Sequence, residues 1–183
     1  VARDLYAYLK HNGVPCKLNI PDVSAFAEGE GEAIPLEVLA VDGAPRYTGT
    51  TIRGVKVAPS PDWLQKKLMS IGLRPINNVV DITNFVLHEI GQPLHAFDAA
   101  MITGGKVLVR RAEEGEKFVT LDGVERTLSA ADLMIANTQE SMCLAGVFGG
   151  EKSGVTEQTV DIFLESAYFN PVSIRKSSKR HGL

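Results

Sequence analysis

The chain has 183 residues, of which 44% are hydrophobic and 22% charged, with a formal net charge of -3. That length can bury one real core plus a fragment of a second domain, and the composition excludes a disordered chain. No apolar run approaches the ~18 residues of a membrane span and no signal-peptide pattern opens the chain, so no membrane partner is expected. Charge is unevenly placed. Glu28, Glu30, Glu32 and Glu37 make the early part acidic, whereas Arg175, Lys176, Lys179 and Arg180 crowd the C-terminus without an acid among them. Such a tail reads either as a solvated helix face or as a basic surface for a polyanion. Cys16 and Cys143 lie far apart without metal-type spacing, as expected of reduced thiols in a cytoplasmic protein. The chain opens at Val1 and closes at His181-Gly-Leu183 inside an expected helix, which points to an excised piece of a larger protein.

Residues Val1 to about Leu9 read as a short helix ended by Asn12-Gly13, followed by an irregular stretch with Pro15, Pro21 and Gly29. Residues 1–34 are therefore expected to be the end of a preceding domain and a linker, with the main module at 35–183. Leu36 to Val41 and Ile52 to Val57 read as strands. Ser60-Pro61-Asp62 is a helix start, with Ser60 as N-cap, and Leu64, Leu68 and Ile71 form a buried stripe before Gly72. A second helix runs from about Asn78 to Ile90, with Val79, Ile82, Val86 and Ile90 as its apolar stripe and Gly91 and Pro93 as its stop. The remainder reads mostly as strand. Lys106 to Ala112 is one; Phe118–Leu121 and Val124–Leu128 flank Asp122-Gly123 as a hairpin; Leu133–Ala136, Cys143–Val147 and Val160–Tyr168 follow. Asn170-Pro171 then caps a basic helix. The order predicts an α+β fold, a largely antiparallel β-sheet packed with a few helices.

Several familiar motifs fail. Gly146-Val-Phe-Gly-Gly-Glu-Lys-Ser153 is not a phosphate loop, because Glu151 stands where glycine must precede the lysine. His88-Glu89 lacks the second histidine of a zinc helix, since Gln92 occupies that position. No metal cluster and no activated serine or cysteine is evident, which leaves a positioned water as the plausible nucleophile for any chemistry. Three features survive. Arg74-Pro-Ile-Asn-Asn-Val-Val-Asp81 leads, through Thr83 and Asn84, to Gly91-Gln-Pro-Leu-His-Ala-Phe-Asp98, which places His95 in an expected apolar loop. So many polar groups in an apolar stretch are costly to bury unless paired or reserved for a ligand. Glu165 falls on one strand face with Phe163 and Ala167, a carboxylate in an apolar surround, expected dry and without an internal partner. Gly146, Gly149 and Gly150 mark a bulge or a close backbone approach. Each has a plainer alternative: a hydrogen-bonded structural histidine, an acceptor for nearby amides, a tight turn.

Together with Arg46-Tyr-Thr-Gly49, Leu164-Glu-Ser-Ala167 and Arg180-His-Gly-Leu183, these blocks resemble the beta subunit of bacterial phenylalanyl-tRNA synthetase, in its central editing module. The resemblance runs from about Leu36 to Leu183, and Val1-Ala-Arg-Asp-Leu5 resembles the helix preceding that module. It implies hydrolysis of tyrosine misacylated onto phenylalanine tRNA. The implied pocket is lined by Arg74, Thr83, Asn84, Pro93, His95, Gly146, Gly149 and Glu165. Glu165 would accept a hydrogen bond from the tyrosine hydroxyl, His95 with Thr83 and Asn84 would serve the hydrolysis, and Gly146 would offer oxyanion donors. The implied partners are phenylalanine tRNA and the catalytic alpha subunit of an alpha2 beta2 assembly. ATP and Mg2+ would serve the whole enzyme, with no cofactor in this fragment. The family pattern continues beyond Leu183, so the pocket is expected to be incomplete here. The competing reading is a non-catalytic scaffold for tRNA or for subunit packing.

Overall fold

A computed structural model describes all 183 residues, which divide into two compact units, Val1–Glu32 and Ala33–Leu183. In the first, helix α1 (Ala2–His11) buries none of its residues. Gly13 follows it at a positive φ of 69°, and the amide of Asn12 and its side chain both return to the Tyr8 carbonyl, which closes the helix end.

The second unit carries two sheets packed face to face. One is five-stranded: β1 (Leu36–Val38), β4 (Val107–Arg111), β7 (Leu133–Ala136), β8 (Ser141–Leu144) and β9 (Phe148–Gly149), in the order β1-β4-β7-β8-β9. Only the β1–β4 pair is parallel. The other sheet is antiparallel throughout, with β10 (Ile162–Tyr168) between β2 (Arg46–Ile52) and β3 (Leu94–Asp98). Tyr47, Phe97 and Phe163 from this sheet meet Val107, Val109, Leu133, Ile135 and Cys143 from the first, forming the main core. Burying each of the two phenylalanines stabilises the fold by roughly 1.5–3 kcal/mol, and a one-residue slip of β10 would turn Phe163 and Glu165 outward. That penalty fixes the register on which the site depends. A separate hairpin, β5 (Lys117–Val119) and β6 (Glu125–Thr127), turns through Asp122-Gly123, with Gly123 at φ 74°.

The α+β reading therefore describes the molecule, with specific departures. The strand expected over 52–57 lies earlier, at Arg46–Ile52, and Gly54, at a φ of 68°, turns the chain just after it. His95 stands not on a loop but on β3, all five of whose residues pair with β10. The strand expected over 143–147 stops at Leu144, since the chain turns at Gly146 (φ 66°).

Helices α2 (Asp62–Ser70), α3 (Asn78–Ile90) and α4 (Pro171–His181) complete the unit. Leu64 and Leu68 are buried as expected on α2, while Ile71 is half exposed. Ser60 does not cap α2: Pro61 holds the cap position and makes no side-chain bond there. The Ser60 hydroxyl, one residue outside the cap, donates to buried Asp81 at 2.5 Å, a charge-assisted bond. Asp81 also accepts from the Ile76 amide at 2.9 Å. The stripe expected on α3 is only partly realised, for Val79 is buried but Ile82 and Ile90 are half exposed. Val79 packs with Ala96 and Ile162 on the outer face of the three-stranded sheet, so α3 covers the back of β3 and β10. At α4, Asn170 caps the Val172 and Ser173 amides with Pro171 in the first turn, and Gly182 closes the helix in the left-handed region.

Candidate functional site

The inner face of the three-stranded sheet holds the site. Glu165 on β10 lies directly opposite His95 on β3 and Gly49 on β2, one pleat away from the Phe163–Phe97 pair. A carboxylate thus points into the space between two apolar sheets, 7% exposed. Its expected dryness holds, but not its expected lack of a partner. The Tyr47 phenol, 8% exposed, donates to Glu165 Oε2 at 2.6 Å. Burial pushes the Glu165 carboxyl up to about 7, against the downward pull of that hydrogen bond. Burial, the charge of Glu165 and their shared hydrogen bond drive the phenol far above its ordinary range, so Tyr47 remains the donor. Cys143, from the facing sheet, is also raised by burial and by Glu165 and stays a thiol.

His95 stands edge-on to Phe97, with ring centroids 4.5 Å apart. Burial lowers its pKa, so the ring is neutral at neutral pH. Its Nε2 is buried with no hydrogen-bond partner in the protein. An unpaired buried nitrogen costs about 1–3 kcal/mol, which marks it as a group to be satisfied by a ligand or water. Gly149 lies beside the ring. A Cβ there would come within 3.4 Å of His95 Cε1 and 2.8 Å of Leu121 Cδ1, so the close approach read from this glycine serves the molecule's own packing.

The remaining expected site residues make no hydrogen bond to Glu165 or His95. Pro93 is exposed at the entry to β3, and Arg74 is exposed before α3 with no ion pair. Thr83, on α3, turns its hydroxyl back to the Val80 carbonyl at 2.7 Å, and half-buried Asn84 follows it. No hydrogen bond joins either of them to His95 or Glu165. A Cβ on Gly146 would meet Phe169 and Ile174, not the imidazole. The asparagines before α3 are structural: Asn77 caps the Val80 amide, and Asn78 bonds the Ala58 amide and the Lys56 carbonyl. Tyr47 and Cys143 are the residues that sequence reasoning missed. Tyr47 lay within a recognised block, but its strand was expected to begin at Ile52, which hid the face it occupies.

A cavity of about 480 Å³ opens elsewhere, and its lining includes Arg110, Glu116, Ser141 and Lys152 but neither His95 nor Glu165. Two ion pairs lie within its lining. Arg110 holds Glu116 through both terminal nitrogens at 3.0 Å, and Lys152 faces Glu140 at 3.5 Å. Burial opposes the charge of Glu116, yet Arg110, Ser141 and the Glu113 amide bring its carboxyl down to about 2. Chemistry is better sought at the unpaired imidazole and uncompensated carboxylate than among charges already neutralised.

Residues 43–183 match the family model described as B3/4 domain, and the chain belongs to that family. It is similar to the phenylalanine–tRNA ligase beta subunits of Bacteroides fragilis, 59% identical, Porphyromonas gingivalis, 56%, and Syntrophotalea carbinolica, 50%. Each alignment covers 100% of this chain but 22% of the relative, so the chain spans about a fifth of their length. An N-terminal fragment of the phenylalanyl-tRNA synthetase beta subunit from Pyrococcus horikoshii shares the fold, with a TM-score of 0.58 over 85% of this chain and 51% of that one. At 14% identity that likeness speaks for the fold alone. The resemblance read from the motifs and these comparisons agree on a synthetase beta-subunit module.

Proposed function

We propose that this module removes tyrosine wrongly esterified to phenylalanine tRNA, by hydrolysis with water as the nucleophile. The observation that carries the reading is the juxtaposition of Glu165 and His95 on one buried sheet face, the former already bonded to a phenol, the latter with a free ring nitrogen. A synthetic site shaped for phenylalanine rejects an analogue that adds only a hydroxyl by about a hundredfold. A second site can invert the test. A tyrosine hydroxyl would satisfy the Glu165 carboxylate, whereas phenylalanine would leave it desolvated, at about 1–3 kcal/mol or more. The neutral imidazole of His95 offers a partner for the attacking water or for the terminal ribose. Cleavage of an activated ester then needs an oriented water and donors for the developing oxyanion. Phenylalanine tRNA and an alpha subunit are the partners of this reading, and a cytoplasmic setting follows from it.

The test is a deacylation assay on the full-length ligase with Tyr-tRNA and Phe-tRNA. Glu165→Ala is expected to abolish the preference for Tyr-tRNA, and His95→Ala to slow deacylation at least about tenfold while aminoacylation persists. Tyrosine-selective deacylation that survives Glu165→Ala would refute the assignment of Glu165 as the group that recognises the tyrosine hydroxyl.

A further inference from the structure

We propose that Tyr47 is the positioning residue of this site: its phenol holds Oε2 of Glu165 so that the other carboxylate oxygen is the acceptor that tests an incoming side chain for a para-hydroxyl. The proposal rests on the tyrosine-selective reading given above and deepens it.

The sheet register supports it. Glu165 has no side chain abreast of it on β2, because Gly49 stands there and a Cβ at that position would lie 2.1 Å from the Phe163 ring. Tyr47, opposite Ala167 and one pleat along, reaches the carboxylate diagonally. No other hydrogen bond restrains Glu165. The titratable groups around it are Tyr47 from β2, His95 from β3 and Cys143 from β8. Tyr47 and Cys143 stay protonated and His95 stays neutral, so no cation compensates the charge. Tyr47 is thus the one protein donor that favours the ionised carboxylate against burial. Without it the carboxyl would hold its proton to higher pH and present a donor where a phenol needs an acceptor. The intramolecular bond also fixes the side-chain torsions, so that an arriving phenol meets an oxygen already in place.

The experiment measures single-turnover deacylation of Tyr-tRNA by the full-length ligase between about pH 5.5 and 9, with Y47F, E165A and a variant carrying 3,5-difluorotyrosine at position 47. Y47F is expected to lose at least about tenfold near pH 7, with its acid limb displaced upward by about one unit or more and its rate recovering toward the parent at alkaline pH. The fluorinated phenol, a stronger donor of similar shape, is expected to displace the limb downward, and it decides the matter if Y47F folds poorly. An unmoved limb in the fluorinated variant, or a Y47F loss that is uniform across pH, overturns the proposal. If E165A retains the preference for tyrosine, the underlying reading fails. If E165A loses it while the limbs stay put, only the role of Tyr47 falls.

Discussion

Glu165 is a residue whose environment works against its own charge. Its folded value of about 7 lies above the ordinary 4.5, so between those values the folded chain binds more protons than the unfolded one. The stability this group contributes is complete below about pH 4.5 and is lost as pH rises through about 7. Glutamine keeps the shape and an acceptor for Tyr47 but cannot ionise. Glu165→Gln is therefore expected to raise stability by about 1–3 kcal/mol near pH 8 and to leave it unchanged near pH 4. Denaturant unfolding at the two pH values checks this, and an equal effect at both would contradict it. Selecting tyrosine would thus come at the expense of stability, as is common at functional sites. The residue types were legible in the sequence: alternation in Phe163-Leu-Glu-Ser-Ala167 put the carboxylate on the apolar face. Its bond to Tyr47 was not legible, because that contact spans 118 positions and depends on which strand lies beside β10.

Among the elements, α4 gathers most of its side-chain bonds at one buried carboxylate, with Arg111 on Ser173 and Arg126 on the His181 carbonyl as further ties. Fully buried Asp132, just ahead of β7, accepts from the Ser129 amide at 2.9 Å and from Ser177 at 2.5 Å. It also pairs with His181 at 2.8 Å and with Arg180. Burial opposes its charge, but Ser177, the Ser129 amide and His181 outweigh it and hold the carboxyl below its ordinary value. A lowered value means that the clamp is fully formed at neutral pH and loosens only as acid titrates the folded carboxyl. Asp132→Ala would strand a buried hydroxyl, an imidazole and a guanidinium, so a loss of about 3–5 kcal/mol is expected. Equilibrium unfolding reads that loss, and hydrogen exchange should show α4 opening ahead of the sheets. The helix itself was predictable from Asn170, Pro171 and Gly182, which act within a turn of themselves. The α3 stripe misled because Asp81, not Ile82, occupies the buried position, recruited by Ser60 and the Ile76 amide.

On the scale of the whole molecule, the basic tail is smaller than its composition suggests. Arg180 is engaged by Asp132, while Arg175, Lys176 and Lys179 remain exposed. No helix is long and apolar enough to cross a membrane. If α4 faces the phosphates of tRNA, three free charges are expected to govern that contact. Changing all three to glutamine should reduce the slope of log affinity against log salt by about 2–3. Filter binding across a salt series measures it, and an unchanged slope would assign this face to other contacts.

The sequence by itself determined what local physics decides: the cap at Asn170, the Asp122-Gly123 turn, the α+β order and the alternation that buries Glu165. Only the tertiary structure decided that His95 lies on a strand, that Ser60 serves Asp81, and that Tyr47 brings a phenol to one oxygen of Glu165. Each of those outcomes is a choice among distant partners, made when burial removes water and leaves a polar group to bond whatever the sheet register brings within reach.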